Sequence, residues 1–337
     1  MNARMEWLRS LPKAELHVHL EGTIHPASYL RIAKRNRIAI RPDVDAAFQC
    51  HDFSSFLSAF LAVVKILQQP EDFYELTHEY LTRSADEGVV HVELMVSPAT
   101  LRYFKIASPL DEVVKAIGAA CRQARADTGI TSLIMFDMVR NLGEAAALED
   151  IALAERCRDH GVIGVGLGGD ESNFPARDFA QAFKRAQELG LRRTLHAGEA
   201  AGADSIQDAV RLCGAERIGH GVAAMHNPAT MQLLREADVA VDACLTSNDV
   251  TGVWNTYHAH PLVRFVNEEV PVTLNSDDPA FFGASLLDEY ERAAGLGLFE
   301  EQLAQVARHS IVYSFAAQEH KTRWLAQLDA FTAAPRA

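Results

Sequence analysis

Cysteine is scarce and scattered in this chain. Cys50, Cys121, Cys157, Cys213 and Cys244 are odd in number and form no C-x-x-C. A disulfide framework and a four-cysteine zinc site are therefore excluded, and a reducing, cytoplasmic compartment is expected. Uninterrupted apolar runs are short, none nearing the ~18 residues of a transmembrane helix. The opening segment carries Arg4, Glu6 and Arg9 and lacks the apolar centre of a secretory signal. Positive charge is in deficit: 32 Lys and Arg stand against 45 Asp and Glu, a net charge of −13. A general nucleic-acid-binding face needs the opposite sign, so neither nucleic acid nor a membrane is expected as a partner. Low-complexity tracts and linkers rich in Pro, Gly or Ser do not occur.

What is present is a 337-residue chain, 48% apolar, with ample material for a large core. We read residues 1–337 as one domain. Short apolar runs alternate with longer amphipathic ones. Strands are expected at Ala14–Leu20, Val89–Val96, Ser132–Met138, Ile163–Gly168, Arg193–His196, Arg217–His220, Val239–Ala243 and Val272–Asn275. Helices such as Leu110–Arg125, Phe179–Leu189, Ser205–Leu212 and Pro228–Arg235 separate them. Alternation of this kind implies parallel strands joined by right-handed crossovers. Eight such units point to an α/β fold, a (β/α)8 TIM barrel, with a doubly wound open sheet as the competitor. The stretch between the first two strands includes Pro26–Arg35 and Phe53–Ile66. It reads as a helical lid insertion after strand 1, at the barrel mouth. The tail from Leu298 reads as one long C-terminal helix on the outside. Arg31, Lys34, Arg35 and Arg37 read as a solvated basic face, and Trp7, Trp254 and Trp324 as packing residues.

In such a barrel the carboxyl ends of the strands converge on one site. Those ends carry His17 and His19, then His196 with Glu199, then His220, then Asp277 and Asp278. Residues two apart in a strand face the same side, so His17 and His19 aim together. With His196 and Asp277 they make three imidazoles and a carboxylate, the ligand set of a catalytic zinc site. A metal there makes hydroxide available at neutral pH. His220 would orient or deprotonate the water, and Glu199 would carry a proton. The run Gly164-Val-Gly-Leu-Gly-Gly169 matches a dinucleotide fingerprint in letters only. Asp170 and Glu171 follow at once and would repel phosphate. These glycines are expected to let a ligand lie flat against the backbone. Zinc deaminases of the H-x-E…P-C-x-x-C type are excluded by the missing cysteine pair.

Taken together, the sequence resembles the adenosine deaminase branch of the amidohydrolase superfamily. The resemblance rests on Leu11 to Gly22 (LPKAELHVHLEG), Gly166 to Glu171 (GLGGDE) and His196 to Gly202 (HAGEAAG). Arg217 to Gly221 (RIGHG), Cys244 to Asn248 (CLTSN), His260-Pro261 and Leu274 to Pro279 (LNSDDP) continue it in the family's order. It implies one zinc ion per chain, held by His17, His19, His196 and Asp277, the last also part of the catalytic set. It implies that Glu199 protonates purine N1, His220 positions the attacking water, Asp278 bonds N7 and the Gly169 N–H meets N3. Phe56 and Phe60, in the Phe53–Leu61 segment, resemble an apolar lid over the purine.

The departures concern the substrate. Adenosine deaminases usually carry Asp at the position of Glu21, whereas adenine deaminases have Glu. Yet CLTSN and Glu199-Ala-Ala-Gly202 look like the nucleoside branch. Gly168 stands where the family commonly has Ala and is expected to widen the pocket. The reading places hydrolytic deamination of adenosine or 2′-deoxyadenosine first. Free adenine, or a larger adenine compound such as aminofutalosine, is the alternative. A two-metal hydrolase ranks low because the strand-four end offers no Lys. A non-catalytic purine-binding protein has no feature in its favour. Oligomeric state is not encoded legibly.

Overall fold

A computed structural model describes residues 3–40, 43–254 and 259–334. His258, which follows strand seven, lies outside them. Eight parallel strands pair in chain order: β1 (Lys13–His19), β2 (Val89–Val96), β3 (Thr131–Val139), β4 (Val162–Gly168), β5 (Arg192–Ala197), β6 (Arg217–His220), β7 (Ala240–Ala243) and β8 (Val272–Leu274). The strands are buried on both faces, as the apolar runs require of an inner barrel wall. Helices such as Leu110–Thr128, Ala180–Glu188, Ala203–Arg211 and Pro228–Glu236 lie between them. This is the (β/α)8 barrel, and its strands fall within a residue or so of their expected ends.

Closure between β8 and β1 is made partly by side chains. Asn275 Oδ1 accepts from the N–H groups of Leu16 at 2.8 Å and His17 at 3.1 Å. Beyond the end of β8, His19 N–H donates to the Asp277 carbonyl at 2.8 Å. The seam therefore ties the His17–His19 segment directly to Asp277.

Three helices follow β1: Pro26–Arg35, Phe53–Ile66 and Pro70–Asp86. The last packs on Leu110–Thr128 in the outer ring, while Phe53–Ile66 packs against the Leu20–Thr23 turn and the short helix Pro279–Phe282 at the mouth. Only part of the basic run is a solvated face: Lys34 and Arg37 are exposed, while Arg31 and Arg35 are paired. Arg31 pairs with Glu75 and Glu79, and Arg35 with Glu71, Glu75 and the fully buried Asp72. These ion pairs fix Pro26–Arg35 onto Pro70–Asp86.

The C-terminal tail is two helices, Glu300–Val312 and Gln318–Ala333, rather than one. The break is used to stopper the barrel's amino end. The Tyr313 carbonyl accepts from Arg217 at 3.1 Å, and the Phe315 N–H donates to Glu93. The Phe315 ring lies 4.0 Å from the Arg217 guanidinium. Arg217 is fully buried between Glu93 and Asp242, at 2.6 and 3.1 Å. An unbroken helix would leave that charge cluster without its backbone partners. Among the described residues, no helix is long and apolar enough to cross a membrane.

Candidate active site

His17 and His19 stand on one side of β1, as their spacing requires. The Nε2 atoms of His17 and His19 lie 3.4 and 3.3 Å from Asp277 Oδ1. The His196 ring centre is 4.5 Å from that of His17 and 5.4 Å from that of His19. His196 Nδ1 faces the Leu167 carbonyl at 3.2 Å, which leaves Nε2 for the cluster. One ligand atom from each of His17, His19, His196 and Asp277 lies within 4.8 Å of all the others. A second grouping, with His220 and Cys244, shares His17 and Asp277 and so describes the same locus.

The residues fit a divalent metal. Both ring nitrogens of His17 are buried and make no hydrogen bond, a costly state unless a metal uses one of them. Burial, then the neighbouring imidazoles, hold His196 well below its usual pKa, and burial lowers His17 as well. Neutral imidazoles are the ligand form, whereas at His19 the effect of burial is outweighed by Asp278, Asp277 and Asp137, which hold it well above its usual pKa. Space is reserved for the first ligand: a β-carbon at Gly219 would stand 2.7 Å from His17 Cε1. Carboxyl groups outnumber the buried cation beside them, Arg140, which acts on Asp137 and Glu199. Glu21, Asp137, Glu199 and Asp278 are all pushed upward, chiefly by burial. A further cation would offset such a cluster.

His220 sits at the end of β6 with its Nδ1 3.3 Å from Asn248 Oδ1, an arrangement in which Nδ1–H donates. Its Nε2 faces Glu199 at 3.7 Å and Asp277 Oδ2 at 3.8 Å. Burial alone would lower its pKa, but Glu199 and Asp277 outweigh it and the net shift is upward. His220 and Asp277 adopt φ of 61° and 63°, left-handed conformations that cost a non-glycine residue about 1 kcal/mol or more. Both strained residues lie where the backbone must turn to aim a polar side chain into the mouth.

The other expected groups gather around this centre. Glu21 is buried in the Leu20–Thr23 turn, with Oε1 accepting from Ser97 N–H at 3.3 Å and Oε2 without a partner. Asp278 Oδ1 is likewise buried and unpartnered. Gly169 follows the last residue of β4 with φ of 96° and stays exposed. Phe56 and Phe60 do not stand alone as a lid. Phe56 packs on Phe282 with ring centres 5.0 Å apart and Phe60 on Phe281 at 6.2 Å, so the helix rests on the segment that follows Asp278.

Asp137, on β3, is a site residue that the motifs do not include. Its Oδ2 lies 3.9 Å from His19 Nδ1, and its Oδ1 is buried without a partner. Asp137 is in register with Gly166. A β-carbon on Gly166 would meet Oδ1 at 3.0 Å, and one on Gly168 would meet Oδ2 at 2.7 Å. Two expectations are corrected by this. Gly166 and Gly168 seat a carboxylate and not a flat ligand, and the space that Gly168 vacates is filled by Asp137 and does not widen the pocket. The legible signal was a lone acid in the apolar run Leu133-Ile-Met-Phe-Asp137-Met-Val139 beside a glycine-rich strand. Buried glutamates also brace the loops. Glu289 accepts from the N–H of Leu245 at 2.7 Å and from Thr246, ahead of Asn248. Glu15 accepts from Ser276 N–H at 3.1 Å, just before Asp277.

The family model described as adenosine deaminase matches residues 12–331. The chain belongs to the adenosine deaminase family. It is accordingly a hydrolytic deaminase acting on a C–N bond. An adenine deaminase of Cupriavidus taiwanensis is 36% identical, the match covering 99% of this chain and 95% of that protein. The crystal structure of an adenine deaminase from Arthrobacter aurescens superimposes with a TM-score of 0.91 at 31% identity, covering 96% of this chain and 100% of the other. The N6-methyl-AMP deaminase of Arabidopsis thaliana follows the same fold with a TM-score of 0.85 at 28% identity, covering 97% and 98%. Within the adenosine deaminase family the expected preference for adenosine is thus set against relatives whose names carry the free base.

Proposed function

We propose that this protein hydrolyses adenine to hypoxanthine and ammonia, with zinc, one ion per chain, at the His17–His19–His196–Asp277 cluster. The free base takes the first place that the sequence reading had given to adenosine. The observation that carries this choice is Glu21 Oε2, buried and unpartnered beside Asp278 and His19. Free adenine has a ring N–H where a nucleoside has its sugar carbon. An unpaired buried carboxylate oxygen suits that N–H and leaves little room for ribose. The names of the relatives in Cupriavidus taiwanensis and Arthrobacter aurescens support the same choice.

Zinc at the cluster would supply a hydroxide-like nucleophile at neutral pH. The protein's own groups do the rest. Glu199, its pKa raised by burial, holds a proton for ring N1, and protonation there makes C6 electrophilic. His220, fixed through Nδ1 by Asn248, presents Nε2 to the attacking water and takes its proton. Asp278 bonds N7 and Gly169 faces N3, so the ring is held with C6 toward the nucleophile. Oxygen bonds to C6, the proton held by His220 passes to the amine, and the C6–N bond breaks as ammonia leaves, while the proton of the new C6 hydroxyl returns to Glu199 and leaves the ring carbonyl. Phe56 and Phe60 help to exclude water from the site.

The test is ammonia release from adenine, adenosine, 2′-deoxyadenosine, adenosine 5′-phosphate and a larger 9-substituted adenine. Adenine is expected to show the highest kcat/KM. A higher value for any nucleoside or nucleotide overturns the free-base assignment. Ammonia from none of them overturns the aminopurine assignment altogether.

A further inference from the structure

The backbone N–H groups of the loop that carries Glu199 are gathered by a single carboxylate from the neighbouring strand loop. Glu171 is 3% exposed. Its Oε1 accepts from Gly198 N–H at 2.6 Å and from the Ser205 hydroxyl. Its Oε2 accepts from the N–H groups of Glu199 at 3.0 Å, Ala200 at 2.8 Å and Ala201 at 3.1 Å. Four successive backbone donors and a hydroxyl thus converge on one side chain. The chain needs this support. It leaves β5 at Ala197, turns through Gly198 with φ of 69°, and starts the next helix only at Ala203. No ladder or helix supplies acceptors to residues 198–201, and such a nest of N–H groups is a site for an anion. Glu171 is two residues past Gly169, and Asp170 N–H is tied to Asn141 Oδ1 at 3.0 Å. One carboxylate therefore links the loop that faces N3 to the loop that faces N1.

We propose that Glu171 is the positioning residue of the proton carrier: it sets where the Glu199 carboxyl stands relative to Gly169, and so the reach of the proton to the purine ring. This rests on the role given to Glu199 above. Glu171 touches neither the substrate nor the metal ligands, so its effect falls on turnover and leaves metal binding alone.

The experiment compares E171Q, E199Q and the double variant, assayed with adenine, with metal content and the far-ultraviolet spectrum measured for each. E171Q keeps the shape and one acceptor oxygen but loses the charge and the second acceptor. A loss of about 10- to 100-fold in kcat is expected, with KM changed by less than about threefold. Metal content should equal the wild type. Added to E199Q, the same change should cost less than about twofold, because both act through one proton transfer. Wild-type turnover in E171Q, with E199Q inactive, overturns the positioning role and leaves the Glu199 role standing. Wild-type turnover in E199Q removes the Glu199 role itself. A full further loss in the double variant assigns Glu171 to general stability and also overturns the proposal. Amide hydrogen exchange of the wild type needs no variant. The amides of residues 198–201 are expected to be protected like those of a helix, and free exchange there overturns the clamp.

Discussion

A β-carbon on Gly22 would stand 1.9 Å from Asp278 Oδ1 and 2.8 Å from the Asp278 Cα. The first contact is with a side chain that could swing away, but the second is with backbone. Gly22→Ala therefore has to displace the chain on which Asp277 and Asp278 lie. Since Asp277 also lies against His17 and His19, the shift reaches both the candidate metal cluster and the proposed purine contact. The expected outcome is a fall in kcat/KM of at least about 100-fold, together with a lower metal content. A variant with wild-type kcat/KM would show that the close approach is relieved without cost.

Asp137 faces Nδ1 of His19, the nitrogen turned away from Asp277 and from the proposed metal. A carboxylate in that position holds the ring and raises its basicity, and its loss commonly weakens metal binding by about 10- to 100-fold. Asp137→Asn is expected to raise the zinc dissociation constant by that factor, measured by competition with a chelator. Gly168→Ala should act in the same direction, because its new methyl group would press on Asp137 Oδ2. An unchanged dissociation constant in both variants would remove Asp137 from the support of the metal.

Glu21 is the group on which the choice of substrate rests. Glu21→Gln keeps its size but replaces the carboxylate by a neutral amide. Adenine is expected to lose about 10-fold or more in kcat/KM, mainly through KM, as for a charge-assisted hydrogen bond. Adenosine turnover, which does not use that bond, should change far less. Equal losses on both substrates would mean that Glu21 shapes the pocket without selecting the base.

The barrel and the gathering of the candidate metal ligands were legible because both depend on local periodicity. Histidines two apart in β1 and polar groups at strand ends fall into place once the strands are counted. What escaped was whatever depends on one strand facing another. Asp137 acts through Gly166 and Gly168 on β4, and Asn248 acts through His220. The split of the C-terminal tail follows from Arg217 and Glu93, which need the Tyr313 carbonyl and the Phe315 N–H. No run of residues near 313 announces that demand. The ion pairs of Arg31 and Arg35 were missed for the same reason, because their partners lie on another helix. The two short motifs point to different substrates, and the unpaired oxygen of Glu21 is the physical feature on which the proposal of the free base rests.

Glu289 links the site to the pH dependence of stability. Burial pushes its carboxyl from the ordinary 4.5 up to about 7, against the pull of Thr246, the Leu245 N–H and Arg292. A carboxyl with a raised folded-state pKa stabilises the fold fully below its unfolded pKa, and that contribution is lost as pH rises through the folded value. The window here runs from about 4.5 to about 7, and the full effect is about 3 kcal/mol. Glu289→Gln cannot titrate, so its stability should not carry this slope. The variant is expected to be less stable than the wild type in acid, where the protonated carboxyl both donates and accepts. That deficit should shrink or reverse by about pH 8. Thermal midpoints of the two proteins, compared at each pH in the same buffer and metal, isolate this group from every other that titrates. A constant offset between the two curves would mean that Glu289 stays ionised throughout, held as an anion by the N–H groups ahead of Asn248.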